Sequence, residues 1–333
     1  MSDAALPRLI PDRIPSPFRF WRRWETILFG VAVLVFLFDA SASPHFLKPY
    51  TLSDATYNFT EKAIIAFAMA PLIIAGEIDL SVASIIALSS TAMGAVAAAG
   101  APSGVLIVIA LAVGAVAGAF NGFIVTYFRV PSIVVTIGTM SLYRGIAYVV
   151  LGDQVYRSYP PGFDYFGQGY AWWVISFEFV LFAVLAVIFG IVLHRTVFGR
   201  QIYAIGNNAV AAQFSGVRVD RIRRILFILT GVMSGVASIL LTSRIASTRP
   251  TIASGFELDV VTMAVLGGVN ILGGSGTIPG VVIAAFVMGL VTFGLGLLNV
   301  PGIVQSVVVG TLLILVIALP IAVSRLSVLW RRR

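Results

Sequence analysis

Charge in this chain is gathered at three places, and the stretches between them are long, apolar and nearly uncharged. The N-terminal segment holds Arg8, Arg13, Arg19, Arg22 and Arg23; a central stretch holds Arg195, Arg200, Arg218, Arg221, Arg223 and Arg224; the C-terminal segment holds Arg325, Arg331, Arg332 and Arg333. Together they carry 15 of the 22 basic residues. Apolar runs long enough to cross a bilayer separate them, and the positive-inside rule then places all three clusters in the cytoplasm. A composition 59% hydrophobic and 11% charged excludes a water-soluble globular domain. Thirty-two glycines suit helices packed closely in lipid.

Counting apolar windows predicts an all-α membrane protein of about ten transmembrane helices with both termini cytoplasmic. The windows are 26–42, 61–76, 80–100, 104–127, 132–151, 172–194, 222–243, 257–272, 278–298 and 303–323. Residues 1–25 form a Pro- and Arg-rich cytoplasmic tail rather than a cleavable leader, 26–323 the membrane domain, and 324–333 a second basic tail. Within the membrane domain, 195–222 is a cytoplasmic loop. Tyr159, Tyr170, Trp172 and Trp173 mark an outer boundary, where amphipathic rings belong. The windows 61–76 and 257–272 are short and flanked by glycine, the pattern of a broken or re-entrant helix.

Two local echoes suggest an inverted repeat. Val130-Pro131-Ser132-Ile133-Val134 opens the fifth window and Val300-Pro301-Gly302-Ile303-Val304 the tenth; Gly76-Glu77-Ile78-Asp79 precedes the third and Gly255-Phe256-Glu257-Leu258-Asp259 the eighth. Both pair helices 2–5 with helices 7–10, and an offset of five spans reverses direction in the membrane.

Several chemistries are excluded. There is no cysteine, no GxxxxGK[ST] phosphate loop and no nucleophile–base set; His45 and His194 stand too far apart in sequence to suggest a metal site. Neither a catalytic residue nor a metal ligand is expected, and no cofactor in this chain. The net charge of +8 flanks spans, so membrane lipid rather than nucleic acid is its expected counter-charge.

The acids Glu77, Asp79, Glu257 and Asp259 lie near span ends, where capping of a helix start and a proton or ion relay are both open roles; capping is favoured, because no intramembrane arginine or histidine matches them. Ser89, Asn121, Thr136, Thr139, Asn270 and Gln305 are neutral polar residues that either bond neighbouring helices or line a path for a hydroxyl-rich solute. Glycines at four-residue spacing (Gly114, Gly118 and Gly122; Gly231 and Gly235) read as packing faces. In the central loop, the stretch from Asn207 to Arg218 predicts a short helix opened by an asparagine cap and closed by Gly216. Such a helix either enters a partner's groove or lies on the membrane surface.

From Phe46 onward the chain resembles the permease subunit of bacterial sugar ABC importers of the ribose/rhamnose/autoinducer-2 class. The markers are the run Gly76 to Ser84 (GEIDLSVAS), Asn121-Gly122, the run Val130 to Met140, and Gly255 to Asp259 followed by Val265 to Thr277 (VLGGVNILGGSGT). The resemblance implies import of a small neutral sugar by alternating access in the inner membrane, with ATP and Mg bound by a separate cytoplasmic ATPase subunit. It also implies a second permease, identical or paralogous, and a periplasmic sugar-binding protein. Residues 209–216 fall where the family's coupling helix lies, which makes Asn208, Ala209, Val210, Ala211, Gly216 and Arg218 the expected ATPase-coupling residues. Ala209 stands at the family's glutamate position, and Glu77 and Ala83 stand where glycine is common. A rhamnose or autoinducer-2 substrate is the weak preference, and an ion-coupled secondary transporter is the rival reading.

Overall fold

A computed structural model describes residues 24–152, 154–312 and 314. The N-terminal arginine tail, the C-terminal basic tail and most of the last part of the tenth window lie outside the described residues.

Hydropathy dictates the architecture. Among the described residues, six helices are long and apolar enough to cross a membrane: α1 (Trp24–Ala42), α5 (Ser103–Phe128), α6 (Ser132–Leu151), α8 (Phe177–Arg195), α11 (Val219–Ile245) and α13 (Ile278–Leu297). A seventh forms if α2 (Pro49–Tyr57) and α3 (Thr60–Ile74) count as one span bent by 45°. Shorter apolar helices complete the set: α4 (Val82–Ala98), α12 (Phe256–Leu266) and α14 (Gly302–Leu312). Each of the ten apolar windows thus contains a helix, although among the described residues fewer than ten satisfy the length test for crossing a bilayer.

The centre of the bundle is α3, in which every residue but Lys62 is buried. It packs against α8, α11, α12 and α13. The outer helices turn apolar side chains outward, Val116 of α5 being 69% and Val149 of α6 86% exposed. Faces of that kind belong against lipid. The closest helix pair is α5 with α11. A Cβ on Gly114 would strike the carbonyl oxygen of Gly231, and one on Gly122 would lie 3.1 Å from Arg224 Cα. The glycine repeats are therefore packing faces, and backbone contact here leaves no room for a side chain.

Four local departures from the sequence expectation have physical causes. The described residues are not wholly helical, because Tyr170–Trp172 and Ile175–Ser176 pair as a small antiparallel hairpin. The helix expected from residue 172 begins instead at Phe177, where Ser176 caps it by accepting the N–H of Phe179 at 3.2 Å. The eighth window ends early, at Leu266, because Gly267 and Gly268 follow and Gly268 has φ of +87°. Finally, α2 lies ahead of the second window in a polar stretch that hydropathy does not mark.

The molecule has an arginine-bearing end and a far end. The C-terminus of α3 reaches the former, where Ile74 O accepts the N–H of Gly274 at 2.9 Å. At the far end a short helix, α7 (Tyr165–Gln168), packs on the last turn of α11 through the Gly167 N–H to Ser243 Oγ at 2.7 Å. The two acidic segments sit at opposite ends of α3: Glu77 bridges Arg223 at 3.1 Å, whereas Asp259 bridges Lys62 at 2.6 Å.

Candidate functional site

The central loop folds into two short helices between α8 and α11. The first, α9 (Val197–Asn207), buries Gly199, Ile202 and Ile205 and leaves Arg200 outward. Gly206 near its end fits against the Ile74 carbonyl with no space for a Cβ. The second, α10 (Ala209–Phe214), starts at Asn208, whose Oδ1 accepts the N–H of Ala211 at 2.9 Å. Asn207 is not the cap. It closes α9 instead and donates its amide to Gly274 O at 3.3 Å.

Gly216 ends α10 with φ of +85°, a conformation unfavourable for any residue with a Cβ. Its N–H reaches Gln213 O at 3.0 Å, and the Val217 N–H reaches Ala212 O at 3.1 Å, the paired bonds of a Schellman turn. Arg218 follows as the non-helical residue that leads into α11. Six expected coupling residues are thus held together by local capping chemistry, with Ala212 as the buried anchor. What α10 presents outward is apolar apart from Gln213: Val210 is 63% and Phe214 90% exposed. Behind it lies a cavity of 360 Å³ whose lining includes Ala209, Gln213, Glu77, Arg129 and Arg223. The Glu77–Arg223 bridge ties the segment before α4 to the first turns of α11 beside that cavity.

The polar residues of the spans divide into separate groups. Asp79, fully buried, accepts the Ser81 N–H at 2.9 Å, the Ser81 hydroxyl at 2.6 Å and the Thr230 hydroxyl at 3.2 Å. The Asn121 amide donates to Ser81 Oγ at 2.8 Å, and the Tyr143 hydroxyl donates to Asn121 Oδ1 at 3.1 Å. Thr136 joins this group through the Ile78 carbonyl at 3.4 Å, and the Thr139 hydroxyl bonds the Thr136 carbonyl at 3.3 Å. The knot links the loop before α4 with α5, α6 and α11. Asn121, Thr136 and Thr139 are therefore neighbours in space. Ser89 is buried elsewhere on α4 with a hydroxyl that has no partner among the described residues. Asn270 sits in the glycine-rich loop at the arginine-bearing end, accepting the Leu272 N–H at 3.1 Å, and Gln305 bonds the Val300 carbonyl at 3.0 Å. The six polar candidates do not converge on one place.

The spans also hold a buried acid matched to an arginine, neither of them among the residues singled out from the sequence. Arg244 of α11 holds Glu61 of α3 with two bonds, Nε to Oε1 at 2.9 Å and Nη2 to Oε2 at 2.7 Å. Glu178 is buried within electrostatic reach of both, and neither of its oxygens has a hydrogen bond among the described residues. Arg144 of α6 donates to the carbonyls of Pro250 and Ile252 at 2.6 and 2.8 Å. Glu257, in the first turn of α12, has one buried oxygen without a partner. His194 accepts the Ile278 N–H at 3.2 Å and so fastens the end of α8 to the start of α13.

Residues 52–317 match the family described as branched-chain amino acid transport system / permease component. Among similar proteins is the ribose import permease protein RbsC of Bacillus subtilis (strain 168), 34% identical over 87% of this chain and 90% of its own length. The autoinducer 2 import system permease protein LsrD of Salmonella typhimurium is 32% identical over 89% of this chain and 92% of its own. The L-arabinose ABC transporter permease protein AraH of Azospirillum brasilense is 36% identical over 88% of each. No solved structure matches. Apolar helices, a fold held by glycine contacts and near full-length similarity to import permeases lead to one conclusion: the chain belongs to this permease family and is a multi-pass protein of the inner membrane.

Proposed function

We propose that this chain is the membrane subunit of an ATP-driven importer that moves a small neutral sugar inward. In this reading a separate ATPase burns ATP, a binding protein delivers solute from the periplasm, and a second permease completes the pathway. The similar permeases named above act on ribose, arabinose and autoinducer 2. The rhamnose preference of the sequence reading has no counterpart among those three. If the ten helical segments are ten crossings, both tails and the α9–α10 loop share one side, and their arginines make it the cytosolic one. The placement of Gly76–Asp79 and Gly255–Asp259 at opposite ends of α3 suits an inverted repeat.

One observation carries the proposal: a capped helix, α10, stands at the arginine-bearing end with Val210 and Phe214 exposed to solvent. A helix so short is marginal alone, and its caps hold it ready to enter a partner's groove. Movement of α10 reaches the core by two routes. Asn207 and Gly206 touch the loop that carries Gly274, which bonds the end of α3, and Glu77 bridges Arg223 of α11. Alternating access requires only that the ATP-bound partner bind one of two such arrangements more tightly. Ala209, at the glutamate position of the resemblance, leaves this docking to apolar contact rather than to a carboxylate.

The test is ATP hydrolysis by the reconstituted complex. Gly216→Pro forbids φ of +85°, and Ala211→Asp puts a charge on the exposed face. Both variants are expected to abolish stimulation of ATP hydrolysis by sugar and binding protein while leaving the permease folded. Undiminished stimulation would overturn the role of α10. Glu61, Arg244 and Glu178 also supply the buried charge that an ion-coupled carrier needs. Sugar uptake into vesicles driven by an ion gradient, with no ATPase present, would favour that reading instead.

A further inference from the structure

Arg221, Ile222 and Ile225 share one face at the start of α11, and Arg218, the residue just before the helix, lines one slot with them. Phe198 and Gln201, three apart on α9, and Gly216 complete the lining of this slot of 340 Å³. The slot is graded. Of its lining, Arg218 and Arg221 are exposed, Gln201, Phe198 and Ile225 are half-buried and Ile222 is buried. No carboxylate lines it. Asp220, the acid in the first turn of α11, borders the neighbouring cavities but not this one. Among the described residues, neither Arg218 nor Arg221 has an ion pair; the bridges present use Lys62, Arg223 and Arg244.

Depth matters as much as charge. The slot lies where α8 has just ended and the apolar length of α11 begins. Ile225 is seven residues beyond Arg218, about 10 Å along a helix axis. That is the separation between a lipid phosphate and the upper part of its acyl chains. A free anion would use the arginines and leave the apolar wall empty; a zwitterionic lipid would use the wall but set its own cation beside the arginines.

We propose that this slot binds one anionic phospholipid, its phosphodiester between Arg218 and Arg221 and an acyl chain along Phe198, Ile222 and Ile225. The lipid would fasten α9 to α11 on either side of α10. The site does not depend on the ATPase reading, because it is tested on the permease alone.

The experiment is native mass spectrometry of the purified, delipidated full chain titrated with three probes: phosphatidylglycerol, phosphatidylcholine with the same chains, and glycerol phosphate. The expected result is one saturable phosphatidylglycerol, with phosphatidylcholine held more weakly, because its choline brings a cation beside two arginines, and glycerol phosphate not retained. Arg221→Gln should weaken it about fivefold, the weight of one arginine at an anionic surface, and Arg221→Lys should restore most of the loss. Ile225→Trp, which fills the slot without changing charge, should abolish saturable binding. Equal retention of phosphatidylcholine would overturn the proposal, and so would glycerol phosphate binding as well as the lipid. Unchanged phosphatidylglycerol binding in both Arg221→Gln and Ile225→Trp would do the same.

Discussion

Asp79 and Glu61 are both carboxylates buried in the bundle, yet they are satisfied in opposite ways. Asp79 gathers neutral donors from two elements, the Ser81 backbone and hydroxyl from its own loop and the Thr230 hydroxyl from α11, with Asn121 and Tyr143 extending the set. Glu61 relies on one guanidinium, that of Arg244, in a two-bond grip. A shell of neutral donors divides the work, so each member contributes a little. A buried ion pair puts it all on one contact, and losing the cation strands the anion in a medium that solvates it poorly. Glu178 makes that end harsher still, since a second buried carboxylate shares the same arginine.

The largest effect is therefore expected from Arg244→Met, which removes the guanidinium that grips Glu61 and lies beside Glu178. The loss should be about 3–5 kcal/mol, the usual consequence of breaking a buried pair from one side. Thermal unfolding of the purified chain in detergent measures it. Adding Glu61→Gln to the same chain should recover part of the stability, because the carboxylate that the guanidinium gripped goes with it while Glu178 stays. A single variant as stable as the parent would show that the pair carries no weight, and the contrast with Asp79 would fail.

A smaller loss is expected from Asp79→Asn. The side chain keeps its shape, but an amide nitrogen replaces one oxygen and faces a donor, either Ser81 or Thr230. One buried donor is left unmatched, at a cost of about 1–3 kcal/mol. The same unfolding assay orders this variant against Arg244→Met. A greater loss for Asp79→Asn than for Arg244→Met would reverse the comparison.

These two sites also show what a sequence discloses. Asp79 and Ser81 are neighbours in one motif, and Asn121 stands out as a polar residue within an apolar run, so part of that shell is legible. Thr230 and Tyr143 are not, since nothing local distinguishes them from other span residues. The Glu61–Arg244 pair joins positions 183 apart, each near the end of an apolar run, where a charge reads as interfacial. Helices were legible for the same reason that pairs were not. Hydropathy is local, so window 132–151 coincides with α6, and caps are local, so the α10 start and its Gly216 stop follow from asparagine and glycine chemistry. Even there a one-residue ambiguity remained between Asn207 and Asn208. The cap is fixed by Asn207 turning its amide to Gly274, a contact between positions 67 apart.

The finest test of the shared shell is Thr230→Val. The swap keeps the branched shape while removing the hydroxyl that reaches Asp79 Oδ2. That hydroxyl also lies 2.8 Å from the Phe227 carbonyl of its own helix. The carbonyl already has its helical N–H partner, so only the bond to Asp79 is at stake. With the Ser81 donors still in place, the carboxylate keeps its other oxygen satisfied, and the loss should be about 1 kcal/mol. Combining Thr230→Val with Asp79→Asn should then cost less than the sum of the two, since both act on one hydrogen bond. Strict additivity would mean that Thr230 and Asp79 do not share a bond, and Asp79 would then depend on Ser81 as narrowly as Glu61 depends on Arg244.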